Sequence, residues 1–526
     1  MSYTKDDKDK FFEAVNSLKK YRRAEIQDDT GKDLVDVLYT DLLPNEQILK
    51  ACLTDNTTFL IGRKGTGKST IFLKLQGEYR KRGNILSCYI DTKTIFESSQ
   101  TEVIPTGYLE SMISDDSFTK YIAERNFIQS ILRSLIEEIQ NKSDNFLDRI
   151  KQAFGIESVK KIVKEKLQNL IDSIDNNDHL KSIEVPSLQQ ISISRKSTIE
   201  KANETALNKD NKLAAKGSST DLGVDASTAI NRMSKDSKKN SSELEEKFSD
   251  VFLKVFQIRN FINQLKEILS LLEIRNLVIL LDDFSEVPDH SMRVFVDVIL
   301  APLNNWSQEF IKFKVAAYPN RVYFGKIDQG KIDKINLDFY ELYTTKISKS
   351  VMEERSIDFT KRLIDKRVEY YTNQPVEYFF DTKKESINDY YELIFQISMN
   401  VPRIIGYILY YCFDSKISYG QPISRASLED AAERYYQEII EPFFHTTTYS
   451  LKSFEEKISI LQLRELLQIF VDEQKSIQKK IKTGELTGSD YDVVRNNPYT
   501  SHFIFSPIHE QFLKTLELNF FLSKYN

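Results

Sequence analysis

The sequence predicts an α/β fold, a parallel sheet covered by helices, with a large and mainly helical insertion and further helical regions behind it. Three observations carry this expectation. At residues 57–82 a β-branched and aromatic run, "TTFLI", passes through the glycine-rich loop "IGRKGTGKST" into "STIFLKLQGEYRKR", where Ile71, Leu73 and Leu75 read as helical. At 276–288, "NLVILLDDFSEVP" holds the aliphatic run Leu277 to Leu281 between polar residues, as a strand buried on both faces requires. A third run, "FKVAAYPN" (313–320), follows one helix length later. Strand, helix and strand repeated in this way make a parallel sheet with helices on its faces.

Residues 1–40 are charged and helical in pattern. "DLLPNEQILKACL" then brings Leu43, Ile48, Leu49 and Leu53 to one face of a helix that enters the core. The nucleotide-binding core is expected over 41–110 and 248–349. Its second strand, "NILSCYID" (84–91), ends on an acidic residue. A helical and polar insertion occupies 111–247, opening with Phe127, Ile131, Leu135 and Ile139 at every fourth position. Between His179 and Phe248 there is no Phe, Tyr or Trp, while Lys, Asn, Ser and Asp crowd the segment. Few groups there offset the entropy of ordering, so a weakly packed insertion is expected. The sharper alternative folds "LQQISISRKST" and "SSTDLGVDAST" as a hairpin for a partner. A helix over "FLKVFQIRNFINQLKEILSLLEI" leads back to the sheet, and helical patterns dominate after about Ser350, in regions 350–420 and 421–526. The end, "SHFIFSPIHEQFLKTLELNFFLSKYN", is a strand-like run, a proline and an apolar segment; such a chain either buries that end or is cut short.

The composition is that of a globular protein: 526 residues, 40% hydrophobic and 29% charged, with 33 Phe and 26 Tyr. A net charge of only -5 makes no global electrostatic case for nucleic acid. Cys52, Cys88 and Cys412 stand singly among apolar neighbours and far apart, so neither a disulfide framework nor a metal spacing is suggested. His179, His290, His445, His502 and His509 show no paired ligand spacing, so no zinc chemistry is expected. "MSYTKDDKDKFFEAV" is too polar for a signal peptide, and no aliphatic run approaches the length of a membrane span. A cytoplasmic protein without a membrane is the expectation.

The glycine loop fits G-x-x-x-x-G-K-[ST] at Gly62, Gly67, Lys68 and Ser69, with Gly65 inside it and Thr70 after it. Backbone N–H groups and the N-terminus of the next helix would form an anion nest. Lys68 would reach the β- and γ-phosphates of ATP, and the Ser69 hydroxyl would ligate Mg²⁺. The metal needs a second anchor on a neighbouring buried strand, which "VILLDD" offers in Asp282. Asp283 is placed to polarise an attacking water, and Glu286 in "DDFSE" is the alternative; Asp283 otherwise supports the metal through water or caps a helix. Asn320, at the end of "VAAYPN", is placed between nucleophile and γ-phosphate, or is an ordinary turn residue after Pro319. Arg321 acts in cis or at a subunit boundary, or is solvated. Arg403 in "NVPRIIGYIL" either reaches back to the γ-phosphate or is a surface residue near a helix start.

With these elements in this order the chain resembles an AAA+ ATPase, most of all the origin-recognition or initiator-type group and its bacterial relatives in mobile-element and anti-phage systems, over about residues 35–110 and 250–440. "IGRKGTGKST" resembles Walker A, "VILLDD" Walker B, "AAYPN" sensor 1 and "NVPRII" sensor 2. The resemblance implies a helical lid over 350–420 and a winged-helix-like region over 421–526. The Walker B pair is Asp-Asp rather than Asp-Glu, Asn45 stands where relatives often carry arginine, and a long insertion precedes Walker B, so origin binding does not carry over. Two functions follow. One is an ATP-hydrolysing enzyme that self-associates or assembles with DNA or an effector protein, possible roles including anti-phage defence; the other is a STAND-like nucleotide-gated switch with incidental hydrolysis. A small-molecule kinase is disfavoured, because no compact lid with clustered arginines follows.

Overall fold

A computed structural model describes residues 3–19, 33–101, 115–141, 156–175, 258–307, 309–346, 351–445, 451–493, 495 and 506–524. Its centre is a parallel sheet of five strands: β1 (Thr57–Ile61), β2 (Ile85–Asp91), β3 (Asn276–Asp282), β4 (Ile311–Ala317) and β5 (Ile332–Asn336), in the order β2-β3-β4-β1-β5. Asp91 lies opposite Asp282, and Ile61 opposite both Ala317 and Asn336, so these chain ends gather along one edge. Ligands of open parallel sheets bind at that carboxyl edge.

The alternation of side chains sorts the strands between two cores. One face, with Leu60, Val278, Leu280 and Ala316, belongs to a core that also takes in residues of helix α1 (Lys5–Lys19), of α2 (Gln47–Cys52) and Ile71, Phe72 and Leu75 of the helix α3 (Lys68–Lys81) that follows the glycine loop. Leu73 points elsewhere, against the small cluster of Leu34, Val35 and Leu38. The other face, with Leu277, Ile279, Leu281, Phe313 and Val315, is covered by α5 (Asp115–Asn141), α6 (Ile156–Asp175) and α7 (Ile258–Ser270); α4 (Thr92–Thr101) leaves the end of β2. The first helices of the expected insertion therefore complete the sheet's cover. Glu138 of α5 is buried and accepts two bonds of 2.8 Å from Arg80 of α3, a bidentate link that ties α5 to α3. The hairpin envisaged within 188–228 and the strand-like run at 502–505 lie outside the described residues.

Behind β5 come α8 (Phe339–Lys346), α9 (Met352–Thr372), α10 (Ile387–Ser398), α11 (Pro402–Ser415) and α12 (Arg425–Tyr435). Ser386 and Ser424 start α10 and α12 with reciprocal capping boxes. Their apolar faces join the same core as α1, and this core runs past residue 420 to Leu428, Ala431 and Tyr435. α1 and α11 meet at Gly406, where a Cβ atom would lie 2.7 Å from the Lys19 nitrogen and 2.8 Å from Leu18. Only a residue without a side chain allows that approach. A separate small core joins α13 (Ile460–Thr483), through Leu463 and Leu467, to Leu513 and to Leu516 of α14 (Lys514–Leu518). No single helix among the described residues is long and apolar enough to cross a membrane.

β5 carries no strand signature in the sequence. "IDKIN" breaks two-residue alternation with adjacent charges, as an edge strand paired on one side tolerates. In β4 the surprise is Lys314, fully buried, whose Nζ donates to the carbonyls of Thr54 and Asn56 and to Thr58 Oγ1 at 2.6–3.0 Å. Those acceptors substitute for water, although burial still pushes the ammonium down to about 8.

Candidate functional site

At the carboxyl edge of the sheet lies a cavity of about 720 Å³. The glycine loop forms one wall because β1 ends against β4 and β5: Gly62 N–H donates to the Ala317 carbonyl at 3.0 Å, and Leu337 N–H to Ile61 at 2.7 Å. Gly65 and Gly67 have φ of +90° and +93°, where a side chain would be strained, and a Cβ on Gly65 would meet Arg403 at 2.8 Å. Gly65, Gly67, Lys68, Ser69 and Thr70 all line the cavity; Gly62 is buried beneath it.

Lys68 is 7% exposed. Its Nζ donates to the carbonyls of Gly62 and Arg63 and lies 4.6 Å from the centre of the Tyr318 ring. Burial pushes the ammonium down to about 8, with Asp282 and Asp338 opposing the shift. Across the cavity Asp282 ends β3, its Oδ2 accepting from the Tyr89 hydroxyl at 2.6 Å and its Oδ1 from the Asp283 N–H at 3.0 Å. Lys68, Ser69 and Asp282 thus converge although β4 separates their strands. A buried ammonium, a hydroxyl and a carboxylate around a backbone cradle fit a metal-bound polyphosphate by their donor and acceptor chemistry.

Asp283 sits in the left-handed region, φ 50°, and lines the cavity. Burial first, then the charges of Asp282, Glu286 and Asp91, raise its carboxyl to about 6. Glu286 differs. Burial alone would raise it, but Lys64 and the Tyr318 hydroxyl outweigh that and hold it below the ordinary value. Its Oε1 accepts from Lys64 Nζ at 3.1 Å and from Tyr318 at 2.8 Å, while Lys93 lies 3.7 Å from Oε2. Two carboxylates three residues apart therefore have unlike environments, one electrostatically crowded and one neutralised.

No family model, curated protein or solved structure matches the chain.

The remaining sequence candidates separate. Arg403 lines the cavity beside Gly65. Asn320 does not: it has φ 60°, and its carbonyl accepts from the Phe454 N–H at 3.1 Å, so Tyr318 takes the strand-end place in the wall. Arg321 is buried rather than solvated. Its guanidinium donates to the Ser285, Val287 and Lys452 carbonyls and lies 4.5 Å from the Phe454 ring centre, clasping the segment after β3 to residues 452–454.

Sequence reasoning missed Tyr89 and Tyr318. Each is near the carboxyl end of its strand, where that position alone signals proximity to the site. It also missed Ser17 and Leu18 of α1, Tyr39, and Phe359, Leu363 and Arg367 of α9, all of which line the cavity. The four-residue steps on α9 put the last three on one helix face.

Proposed function

We propose that the protein is an AAA+ ATPase with an initiator-like core, binding and hydrolysing ATP to drive assembly with nucleic acid or an effector protein. The observation that carries the reading is the convergence of Lys68, Ser69 and Asp282 on one cavity that Leu18, Leu42, Phe359 and Leu363 also line. The sheet order, with the glycine loop after β1 and the acidic pair after β3, supports it. In this reading the loop is Walker A, Asp282–Asp283 is Walker B, residues 350–420 with helices α9 to α11 are the lid, and 421–526 is the winged-helix-like region.

ATP with Mg²⁺ supplies a phosphoanhydride bond polarised by the metal. The chain's own residues do the rest. The loop amides and Lys68 neutralise phosphate oxygens, Ser69 and Asp282 hold the metal, and Tyr89 fixes the Asp282 rotamer by its short hydrogen bond. Asp283 is the better base. Glu286 has its Oε1 occupied by Lys64 and Tyr318, so it orients those groups instead. Arg403, beside the loop, adds positive charge where the γ-phosphate would lie.

The second reading is a nucleotide-gated switch with slow turnover. It is favoured by the buried contact between loop residue Arg63 and the C-terminal segment: Arg63 Nη2 donates to Ser523 at 3.2 Å and its guanidinium lies 4.7 Å from the Phe520 ring centre. Phosphate release and nucleotide binding by the full chain test both readings. Lys68→Ala abolishes binding; Asp283→Asn keeps binding and loses turnover. Turnover lost only in Glu286→Gln transfers the role of base. Turnover untouched by either change refutes the enzyme and leaves the switch. DNA as partner is tested by a gel shift that weakens as salt rises.

A further inference from the structure

Arg367 lines the cavity and carries a charge that no group among the described residues balances. α9 presents Phe359, Leu363 and Arg367 along one face, all buried, at 1%, 3% and 4% exposure. Eight residues of helix span about 12 Å, roughly the reach of a nucleoside beyond its phosphates. Phe359 and Leu363, with Leu18, Tyr39 and Leu42, give the cavity an apolar lining suited to a flat ring. Arg367 closes the stripe. Its one hydrogen bond among the described residues is Nη1 to Ser17 Oγ at 3.4 Å, and its Nε is buried with no partner.

A guanidinium has five N–H donors and loses much hydration energy when buried, so such a group normally faces a carboxylate or several carbonyls. Here no carboxylate among the described residues stands against it; Tyr371 alone favours the charged form, and burial pushes Arg367 down to about 10. Resting on the nucleotide-binding reading above, we propose that Arg367 is the base-recognising residue of this site, donating to an acceptor on the edge of a purine ring held between α1 and α9.

The donor-only chemistry restricts the edge that faces it. A purine ring nitrogen accepts one bond. Guanine O6 and N7 together accept the two parallel bonds of a guanidinium fork, whereas the exocyclic amine of adenine repels the second donor. Both purines share the ring nitrogen, and the comparison of ATP with GTP tells them apart.

The experiment measures the affinities of the full chain for ATP, GTP and inorganic tripolyphosphate with Mg²⁺, in the unaltered protein and in Arg367→Met. Methionine keeps apolar bulk and removes the buried charge, so the fold is not weakened by an unpaired ion. The expected result is a loss of about ten- to hundredfold for at least one purine nucleotide, the scale of a hydrogen bond to a charged group, with tripolyphosphate unchanged. Arg367→Lys, a cation without the fork, should recover part of an ATP loss and little of a GTP loss. An unchanged ratio of nucleotide to tripolyphosphate affinity overturns the assignment alone. Equal losses for all three ligands overturn it too, since Arg367 would then act through the fold. Failure of the unaltered protein to bind any of the three overturns the nucleotide site itself.

Discussion

Gly406→Ala sets two effects of opposite sign against each other. Inside an exposed helix, alanine in place of glycine stabilises by about 1 kcal/mol, because glycine loses more backbone entropy on ordering. At Gly406 the added methyl would sit 2.7–2.8 Å from backbone and Cβ atoms of Leu18 and Lys19, more than half an ångström inside ordinary contact. These are mostly backbone atoms, so no rotamer change relieves the overlap; α1 must move off α11. Overpacking a close-packed contact costs about 1–3 kcal/mol, and loss of the matched α1 surface adds to it. The net expectation is destabilisation of about 1–2 kcal/mol, read as a lower urea midpoint at unchanged slope. Because α1 also carries Ser17 and Leu18 into the cavity wall, nucleotide affinity should fall with it, and tripolyphosphate affinity should fall less. A variant more stable than the parent would refute the close approach of the two helices. Lost stability with unaltered nucleotide affinity would refute the role of α1 in the wall.

Glu517 is raised to about 7, chiefly by burial and also by Glu341 and Asp338, with Lys524 and Arg63 opposing. A carboxyl raised on folding favours the fold while protonated, so this stability is full below about 4.5 and lost as pH rises through about 7. Glu517→Gln mimics the protonated form and should raise the melting temperature at pH 8, by up to about 3 kcal/mol of stability, with little effect at pH 5. A gain independent of pH would contradict this. Lys314→Met leaves the Thr54 and Asn56 carbonyls without their donor and should cost about 2–3 kcal/mol in urea unfolding; a neutral result would mean that water replaces the ammonium. Asp282→Asn should leave metal-free ATP binding in place and remove the gain on adding Mg²⁺, measured by titration calorimetry.

What the sequence makes legible is what neighbouring residues dictate. Leu277 to Leu281 reads as a doubly buried strand because both faces of β3 meet a core, and Gly65 and Gly67 of the loop stand where φ is positive. Asp282 could be placed because it ends that run. β5 could not, since an edge strand paired on one side does not require a continuous apolar run. Leu73 reads with Ile71 and Leu75, yet packs on residues 34–38. Arg367 looks like any helical arginine until α1, from the other end of the sequence, lines the same cavity. Arg321 likewise gains its role from residues 452–454, more than a hundred positions away. Long-range packing decides these, and no local pattern records it.

Arg63 lies inside the glycine loop but faces away from the cavity. It pairs with Asp338 at 2.6 Å and is covered by Glu517, Phe520 and Ser523. Any shortened version of the chain that stops before about residue 510 therefore leaves the Arg63 guanidinium of the glycine loop held by Asp338 alone, in the residue whose carbonyl accepts from the Lys68 ammonium. Loss of nucleotide affinity in such a fragment would say nothing about whether the missing residues touch nucleotide. The loop and the tail are two ends of one fastening, and attempts to divide this protein into separately studied parts must keep both.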